Sequence, residues 1–127
     1  MINIQTVTRA EIPELSSFVL PARAELFPKL SAAGMPNDLA QFEAVYLQGD
    51  GEFLVARAEG QIVAAIGYLP YDQRFPQLDY QGRTTVEVVR LFVAPAFRRF
   101  GLAGALFREL MALARKARVE VVYLHTH

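Results

Sequence analysis

The 127-residue sequence contains no cysteine, which excludes disulfide bonds, thiolate metal ligands and a cysteine nucleophile. Only two histidines are present, so the chain has little material for a transition-metal site. His125 and His127 share one face of the last predicted strand, but they have no neighbouring carboxylate to complete a metal-binding set. We interpret them as polar residues at the end of a strand and expect no metal.

An excess of charge of either sign is also absent, because thirteen basic residues balance thirteen acidic ones and the formal net charge is +0. Nucleic-acid-binding domains usually carry a basic excess, and anionic membranes attract basic surfaces, so we expect neither partner. Residues 1–6 have neither the basic start nor the apolar run of a signal peptide. No stretch approaches the roughly 20 apolar residues of a membrane helix. These absences predict a cytoplasmic location.

Apolar residues are plentiful, since they form 53% of the chain against 20% for charged residues. This composition is typical of a folded globular protein and a poor match to a disordered one. The length suits one domain, because domains commonly span roughly 100–150 residues. No linker or internal repeat divides the sequence, so residues 1–127 are expected to form a single domain.

The first part of the chain predicts a strand followed by a helix. Apolar and polar residues alternate over positions 2–6, as in a half-buried strand. Thr8, with Glu11 three residues later, has the spacing of a capping box and should begin a helix. Apolar residues then recur at helical spacing over positions 12–27, where Pro21 should kink or divide the helix because it lacks a backbone donor.

A second helix and a hairpin are predicted next. Asn37 or Asp38 is suited to cap a helix over residues 39–47, because either side chain can accept from the first backbone N–H groups. Apolar runs at 53–57 and 62–69 flank a tight turn and predict a β-hairpin.

The last part of the chain predicts a strand, a helix and another strand. Residues 84–93 are rich in β-branched side chains and apolar on both faces, as in a central strand, and Pro95 ends the run. Residues 102–116 form an amphipathic helix, and residues 119–124 form the final strand. A unit of this kind should be a parallel crossover, so we expect an α/β fold.

The junction between the central strand and that helix has the character of an anion-binding site. A loop with Arg98 and Arg99 follows the strand, and Gly101 opens directly into the helix. The first turn of a helix has unpaired N–H groups and a partial positive charge. Glycine permits close backbone approach, and guanidinium groups suit phosphates. We therefore expect a phosphate or pyrophosphate ligand on residues 98–104.

The surrounding motif narrows the type of phosphate ligand. The sequence has neither the Gly-x-Gly-x-x-Gly pattern of dinucleotide-binding folds nor a P-loop. The run Arg98-Arg99-Phe100-Gly101-Leu102-Ala103 fills the pattern Arg/Gln-x-x-Gly-x-Gly/Ala, and Leu91-Phe92-Val93 and Pro95 precede it. In this setting the segment resembles the acetyl-CoA-binding motif of the GNAT-type N-acetyltransferases. The order of elements resembles that family along the whole chain.

The resemblance implies both a fold and a cosubstrate. The fold would be GNAT-like, with a mixed central sheet and helices on both faces, and the cosubstrate would be acetyl-CoA. Backbone groups of Leu91–Val93 would pair with the pantetheine arm, and N–H groups from Arg99 to Gly104 would hold the pyrophosphate. The implied cofactor-binding residues are Leu91, Phe92, Val93, Arg98, Arg99, Phe100, Gly101, Leu102, Ala103 and Gly104.

Glu87 occupies the position of the strand carboxylate that many members of the family use as a general base. On an unbroken strand it would share an apolar face and be desolvated, and Arg90 would lie on the opposite face in a structural role. The apolar residues of that face are Val89, Leu91 and Val93. The alternative is a salt bridge at an exposed strand start, to Arg83 or Arg74. Family members often carry a bulge in this strand, which would change the assignment of faces.

The acceptor implied by the resemblance is a small amine or an amino-acid-like molecule. A loop of mixed aromatic and charged residues is an equal candidate for a substrate rim and for ordinary surface. Its residues are Tyr71, Asp72, Arg74, Phe75 and Tyr80.

The sequence departs from the family pattern after the last strand. Family members continue through a helix and a closing hairpin, which often contributes a tyrosine that protonates the departing thiolate, whereas this sequence ends at His127. Tyr123 lies inside the strand and does not occupy that position, so no general acid is identified. Because folded proteins normally block a strand edge, we expect a further C-terminal piece or a second copy of the chain, as in a homodimer.

Two classes of function follow. The first is an N-acetyltransferase in which an amine attacks the acetyl thioester directly, with Glu87 as general base. The alternative is a non-catalytic CoA-binding or interaction module, or a truncated half-domain completed by dimerisation. Cofactor binding without acetyl transfer would separate the alternative from the enzyme.

Overall fold

Five strands, each next to its neighbour in chain order, form one sheet in the computed structural model, which describes residues 2–26, 35–71 and 83–124. The strands are β1 (Ile2–Thr6), β2 (Glu52–Ala58), β3 (Gln61–Pro70), β4 (Thr85–Val93) and β5 (Val121–Leu124). The helices are α1 (Ile12–Leu26), α2 (Asn37–Ala40) and α3 (Leu102–Lys116), with short turns at Arg9–Glu11, Glu43–Leu47 and Pro95–Phe97. In that part of the chain no helix is long and apolar enough to cross a bilayer.

The sheet is mixed. Strands β1 to β4 run antiparallel to their neighbours, and β5 pairs parallel to β4 after the α3 crossover. The predicted hairpin is present, and its turn residues Glu59 and Gly60 have φ values of 51° and 81°. Positive φ at both central residues matches the right-handed twist of the flanking strands. The α/β fold, with a mixed sheet and helices on both faces, is therefore confirmed.

Helix α3 covers one face of the sheet with residues four positions apart. They pack against apolar residues of β2, β3 and β4, such as Ile66 and Val88. Burying each leucine stabilises the fold by about 1.5–3 kcal/mol before other costs. The buried α3 residues are Leu102, Leu106, Leu110 and Ala114.

Helices α1 and α2 cover the other face. Leu15 and Val19 of α1 are fully buried there, beside the rings of Phe42, Tyr46 and Phe53. The centroids of these three rings lie 4.7–5.0 Å apart in tilted and edge-on arrangements. Such contacts stabilise aromatic clusters beyond the burial of their area. This cluster fixes the segment that contains α2 against β2.

The start of α1 follows the prediction, but its interior does not. Glu11 accepts hydrogen bonds from the backbone N–H of Thr8 at 2.8 Å and from its hydroxyl at 2.9 Å, so the predicted cap is confirmed. Pro21 does not divide the helix, which continues to Leu26. Proline removes only one backbone bond, at an exposed position, and the turns before it are held by buried Leu15 and Val19.

The second helix begins and ends differently from the prediction. Pro36, not Asn37 or Asp38, occupies the N-cap position, with extended backbone angles of −61° and 145°. Asp38 is instead engaged in contacts with other elements, described below. The predicted helix over 39–47 is also divided, because α2 ends at Ala40 and a π-helical turn follows.

Candidate functional site

Strand β4 contains a bulge at the position where the cofactor is expected. Gly67 of β3 pairs with Val89, and Ala65 of β3 pairs with Phe92. Two residues of β4, Arg90 and Leu91, therefore stand opposite one residue of β3, Ile66. Arg90 has a φ of 57°, which is rare for a residue with a side chain. A bulge of this kind bends the strand and shifts the alternation of its side chains.

The bulge changes which residues share a face of the sheet with Glu87. Phe92 packs in the core under α1 with Val89, whereas Val93 packs on the α3 side. Leu91 belongs to neither core and is 38% exposed. Glu87 precedes the bulge and shares the α1 face with Val89 by alternation. The prediction that Glu87, Val89, Leu91 and Val93 share one face is therefore wrong for the residues after Val89. The extra residue in the bulge reverses the faces on which the following side chains lie.

The expected position of Arg90, on the face opposite Glu87, is also wrong. At the bulge its side chain reaches Asp38 of α2, the helix that packs beside α1. Arg90 Nη2 lies 2.5 Å from Asp38 Oδ1, and Nε lies 3.0 Å from Oδ2, so the pair is bidentate. The Tyr46 hydroxyl donates to the same carboxylate at 2.8 Å. Arg90 thus connects the cofactor strand to the α2 segment.

The charge state of this carboxylate is well determined by its neighbours. Burial alone would raise the pKa of Asp38, but the hydrogen bonds and charge of Arg90 outweigh it and hold the pKa below its ordinary value. Burial and the Asp38 charge raise the pKa of Tyr46, so the phenol remains a donor. The three groups therefore form an ion pair with an additional neutral hydrogen bond at neutral pH.

On one edge of β4, the strand continues past the last residue pair that the structure describes between β4 and β5. Strand β5 pairs with β4 only from Thr85 to Val88, which stands opposite Leu124. Residues 89–93 continue past this point while pairing with β3 on their other side. A strand edge presents backbone donors and acceptors that an extended ligand can use. The backbone groups of Leu91, Phe92 and Val93, named from the sequence for the pantetheine arm, lie on this stretch.

The loop before α3 presents the N-terminus of that helix. Arg99 has a φ of 70°, and Gly101 has a φ of 76° at the N-cap position. The Ala105 N–H donates to the Gly101 carbonyl at 3.0 Å, so the N–H groups of residues 102–104 precede the first turn bond of the helix. A Cβ built on Gly101 would meet nothing within 4 Å. The glycine is therefore required by its backbone angle, and the space before the helix is open.

Two arginines border this open space in different ways. Arg98 donates from Nε to the Val93 carbonyl at 2.9 Å and so attaches the loop to the end of β4. Arg108 was not a sequence candidate, yet its Nη1 lies 3.4 Å from a Cβ built on Gly104. The signal for Arg108 is its spacing of four residues from Gly104, which places both on one helix face. Phe100, which lies between these arginines in the sequence, is 76% exposed.

Glu87 lies in the middle of a row across three strands. It pairs in register with Leu69 of β3 and with Tyr123 of β5, and it is only 6% exposed. The ring of Tyr123 lies 5.6 Å, between centroids, from the ring of Tyr71, which is itself 8% exposed. Glu87 is therefore buried within the sheet rather than placed at an exposed strand start.

Several sequence candidates lie outside the described residues. They include most of the proposed substrate rim and one alternative partner of Glu87, together with both histidines. These residues are Asp72, Arg74, Phe75, Tyr80, His125 and His127.

Comparison with known proteins gives a consistent picture. The sequence model of the acetyltransferase (GNAT) family matches residues 18–127. Among curated proteins, "N-acetyltransferase family 8 member 2" of Rattus norvegicus is 35% identical over 78 residues, which cover 61% of this chain and 32% of that protein. The chain spans less than half the length of the curated relatives it matches.

Solved structures share the fold. An acetyltransferase of the GNAT family from Staphylococcus aureus Mu50 superposes with a TM-score of 0.79 at 24% identity, over 99% of this chain and 74% of that one. An aminoglycoside N-acetyltransferase in complex with CoA superposes with a TM-score of 0.73 at 21% identity, over 100% of this chain and 78% of that one. At these identities the likeness establishes the architecture and not the substrate.

Proposed function

The chain belongs to the acetyltransferase (GNAT) family, and from this premise we propose that it transfers an acetyl group from acetyl-CoA to a primary amine. The observation that carries the proposal is the junction of two features. A bulged strand with backbone groups on one edge leads, through the loop of residues 94–101, to a helix N-terminus opened by Gly101. An extended, amide-containing arm that ends in a pyrophosphate has the chemistry to occupy both.

In the proposed complex the chain holds the cosubstrate mainly with backbone groups. The pantetheine amides pair with Leu91, Phe92 and Val93 as an added strand would. The pyrophosphate accepts from N–H groups of residues 99–104, where the helix dipole also favours an anion. Arg98 attaches the loop to the strand, and Arg108 adds a positive charge one turn into the helix.

The proposed reaction is a direct transfer. Glu87, as general base, takes a proton from the acceptor ammonium, and the free amine nitrogen attacks the carbonyl carbon of the thioester. The tetrahedral intermediate collapses by breaking the carbon–sulfur bond, and CoA leaves as a thiolate. The nitrogen loses a second proton as it becomes an amide, and that proton balances the one that the thiolate takes up to become the free thiol. A strand amide near Phe92 or Val93 would stabilise the oxyanion. The position of Glu87 supports its role as base, because it is buried on the same strand that carries the proposed pantetheine contacts at Leu91, Phe92 and Val93.

We propose a small molecule with a primary amine, such as an amino sugar or an amino-acid-like compound, as acceptor. The aminoglycoside N-acetyltransferase that shares this fold supports a small-molecule amine. The α1 face of the sheet, where Glu87 lies, would supply the acceptor side.

Calorimetric titration with acetyl-CoA tests the cofactor site. Gly101→Asp should abolish micromolar binding, because it places a carboxylate where the pyrophosphate should lie. Gly60→Asp is a matched control, since Gly60 also has a positive φ and open space around it but lies in the β2–β3 hairpin. Absence of binding by the folded parent chain, or equal loss in both variants, would contradict the proposed site.

Release of free thiol from acetyl-CoA in the presence of a panel of amines tests the transfer itself. We expect thiol release only with primary amines. If the chain binds acetyl-CoA and acetylates none of them, the non-catalytic CoA-binding module becomes the better description.

A further inference from the structure

The backbone of Arg90 needs support from elsewhere in the fold. Among the described residues, the non-glycine residues with positive φ are Glu59, Arg90, Arg99 and Arg118, and Arg90 is the one that lies inside a strand. L-amino acids avoid this conformation because the Cβ approaches the following carbonyl. Such a residue persists where surrounding contacts determine its conformation.

The supporting contact comes from Asp38, which lies 52 positions earlier in the chain. The bidentate geometry fixes the guanidinium in plane and direction, as a single hydrogen bond would not. Both side chains are largely shielded from solvent, at 20% and 13% exposure. Tyr46 holds the carboxylate from a second direction, and its ring is part of the buried aromatic cluster. The bulge is thus anchored to a rigid part of the α1 face.

We propose that Asp38 is a positioning residue for acetyl-CoA, which acts through Arg90 by holding the β4 bulge in the conformation that directs the backbone groups of Leu91 and Phe92 to the pantetheine arm. This inference rests on the proposed function. Leu91 follows Arg90 directly, so the φ of Arg90 determines which way the next peptide groups point. Without the carboxylate, the strand could relax toward regular pairing with β3 and turn those groups away.

A second arginine provides a matched comparison inside the same molecule. Arg57 of β2 donates to Glu14 at 2.8 and 2.7 Å and to Glu11 at 2.7 Å, and so joins β2 to the start of α1. Its chemistry is the same as that of the Arg90 pair, but it lies on the far side of β3 from the bulge. Loss of this pair should lower stability and leave acetyl-CoA binding unchanged.

The test measures the acetyl-CoA dissociation constant by calorimetry, and the melting temperature, for the parent chain and its variants. Asp38→Ala and Arg90→Ala should each weaken binding by about ten-fold, and the double variant by no more than either single one, because the two residues act as a unit. Asp38→Asn, which keeps the shape and one acceptor, should lose less. Arg57→Ala should lower the melting temperature and leave the dissociation constant unchanged.

The outcomes separate this inference from the proposed function. If the parent chain does not bind acetyl-CoA, the proposed function fails and the positioning role fails with it. If the parent binds, and Asp38→Ala only lowers the melting temperature as Arg57→Ala does, the positioning role is overturned and the proposed function stands. Should Asp38→Ala fail to fold, Asp38→Asn and Arg90→Lys decide, because lysine keeps the charge but loses the fork.

Discussion

The Arg98 guanidinium donates from Nε to the Val93 carbonyl at 2.9 Å, which joins the loop before α3 to the last residue of β4. This contact links the two halves of the candidate cofactor site, the strand edge and the helix N-terminus. The Arg98 side chain thus acts together with Phe97, which packs against the α3-side core, to position the helix N-terminus relative to the strand.

Arg98→Ala should therefore weaken acetyl-CoA binding by about ten-fold or more, since a hydrogen bond from a charged donor contributes about 1.5–3 kcal/mol. Arg98→Gln should lose less, because its amide can still donate to a carbonyl. Arg115→Ala, at the opposite end of α3, is the control for loss of positive charge alone. Calorimetric titration of the three variants decides the matter, and equal affinity of the Arg98→Ala variant and the parent chain would remove this contact from the cofactor site.

Glu87→Gln should lower kcat/KM by about 10²–10⁴ while leaving acetyl-CoA affinity unchanged, because an amide of the same shape cannot accept the proton from the acceptor ammonium. The measurement is steady-state thiol release over a range of amine concentrations at saturating acetyl-CoA, together with calorimetry. Glu52→Gln is a suitable control, since Glu52 is a partly buried carboxyl group on β2 that lies outside the proposed site. Turnover by Glu87→Gln at the parent rate would exclude the residue as general base.

The elements that the sequence predicts best are those determined by local patterns. Helix α3 occupies the predicted residues 102–116, because a four-residue repeat of leucines and the preceding glycine define it without reference to the rest of the chain. The turn at Glu59–Gly60 is equally local. The loop and helix start at residues 98–104 belong to this group as structure, since they are adjacent in sequence, and their role in binding a pyrophosphate stays a prediction.

The features that the sequence does not predict depend on contacts between distant positions. Arg90, at the bulge, is paired with the distant Asp38, and nothing in the pattern of residues 84–93 marks where an extra residue interrupts the alternation. Asp38 is of a residue type that often caps helices, and only the tertiary fold shows that it pairs with Arg90 instead. Side-chain faces beyond a bulge are therefore assigned wrongly by period alone.

The Glu11–Arg57 ion pair predicts how stability depends on pH. Hydrogen bonds from Arg57 and from the Thr8 backbone lower the pKa of Glu11 from 4.5 to about 2. Because the unfolded chain binds the proton at higher pH than the folded chain, this pair contributes its full stability above about pH 4.5. That contribution is lost as the pH falls from about 4.5 to 2.

Urea unfolding of the parent chain and of Arg57→Ala, from pH 7 to pH 3, measures this dependence. The difference between the two free energies of unfolding should be constant above pH 5 and should shrink as the solution is acidified. A difference that stays constant down to pH 3 would show that Arg57 does not lower the pKa of Glu11 in the folded chain.

The close packing around Gly67, beside the bulge, predicts that a larger residue at this position lowers the stability of the fold. A Cβ at this position would lie 2.5 Å from Cδ2 and 2.9 Å from Cε2 of Phe53, whose ring is 1% exposed and already held by the aromatic cluster. Gly67→Ala should therefore lower the free energy of unfolding by about 1–3 kcal/mol, because the ring cannot move aside.

Gly104→Ala gives the opposite expectation and so serves as the control. The added Cβ there meets only the flexible end of Arg108 at 3.4 Å, and alanine stabilises a helix by about 0.5–1 kcal/mol relative to glycine. Denaturant unfolding of both variants should give changes of opposite sign. If Gly67→Ala were neutral, Phe53 would have room to shift, and the aromatic cluster would be a less rigid support for the α2 segment, and hence for the Asp38–Arg90 pair, than its packing indicates.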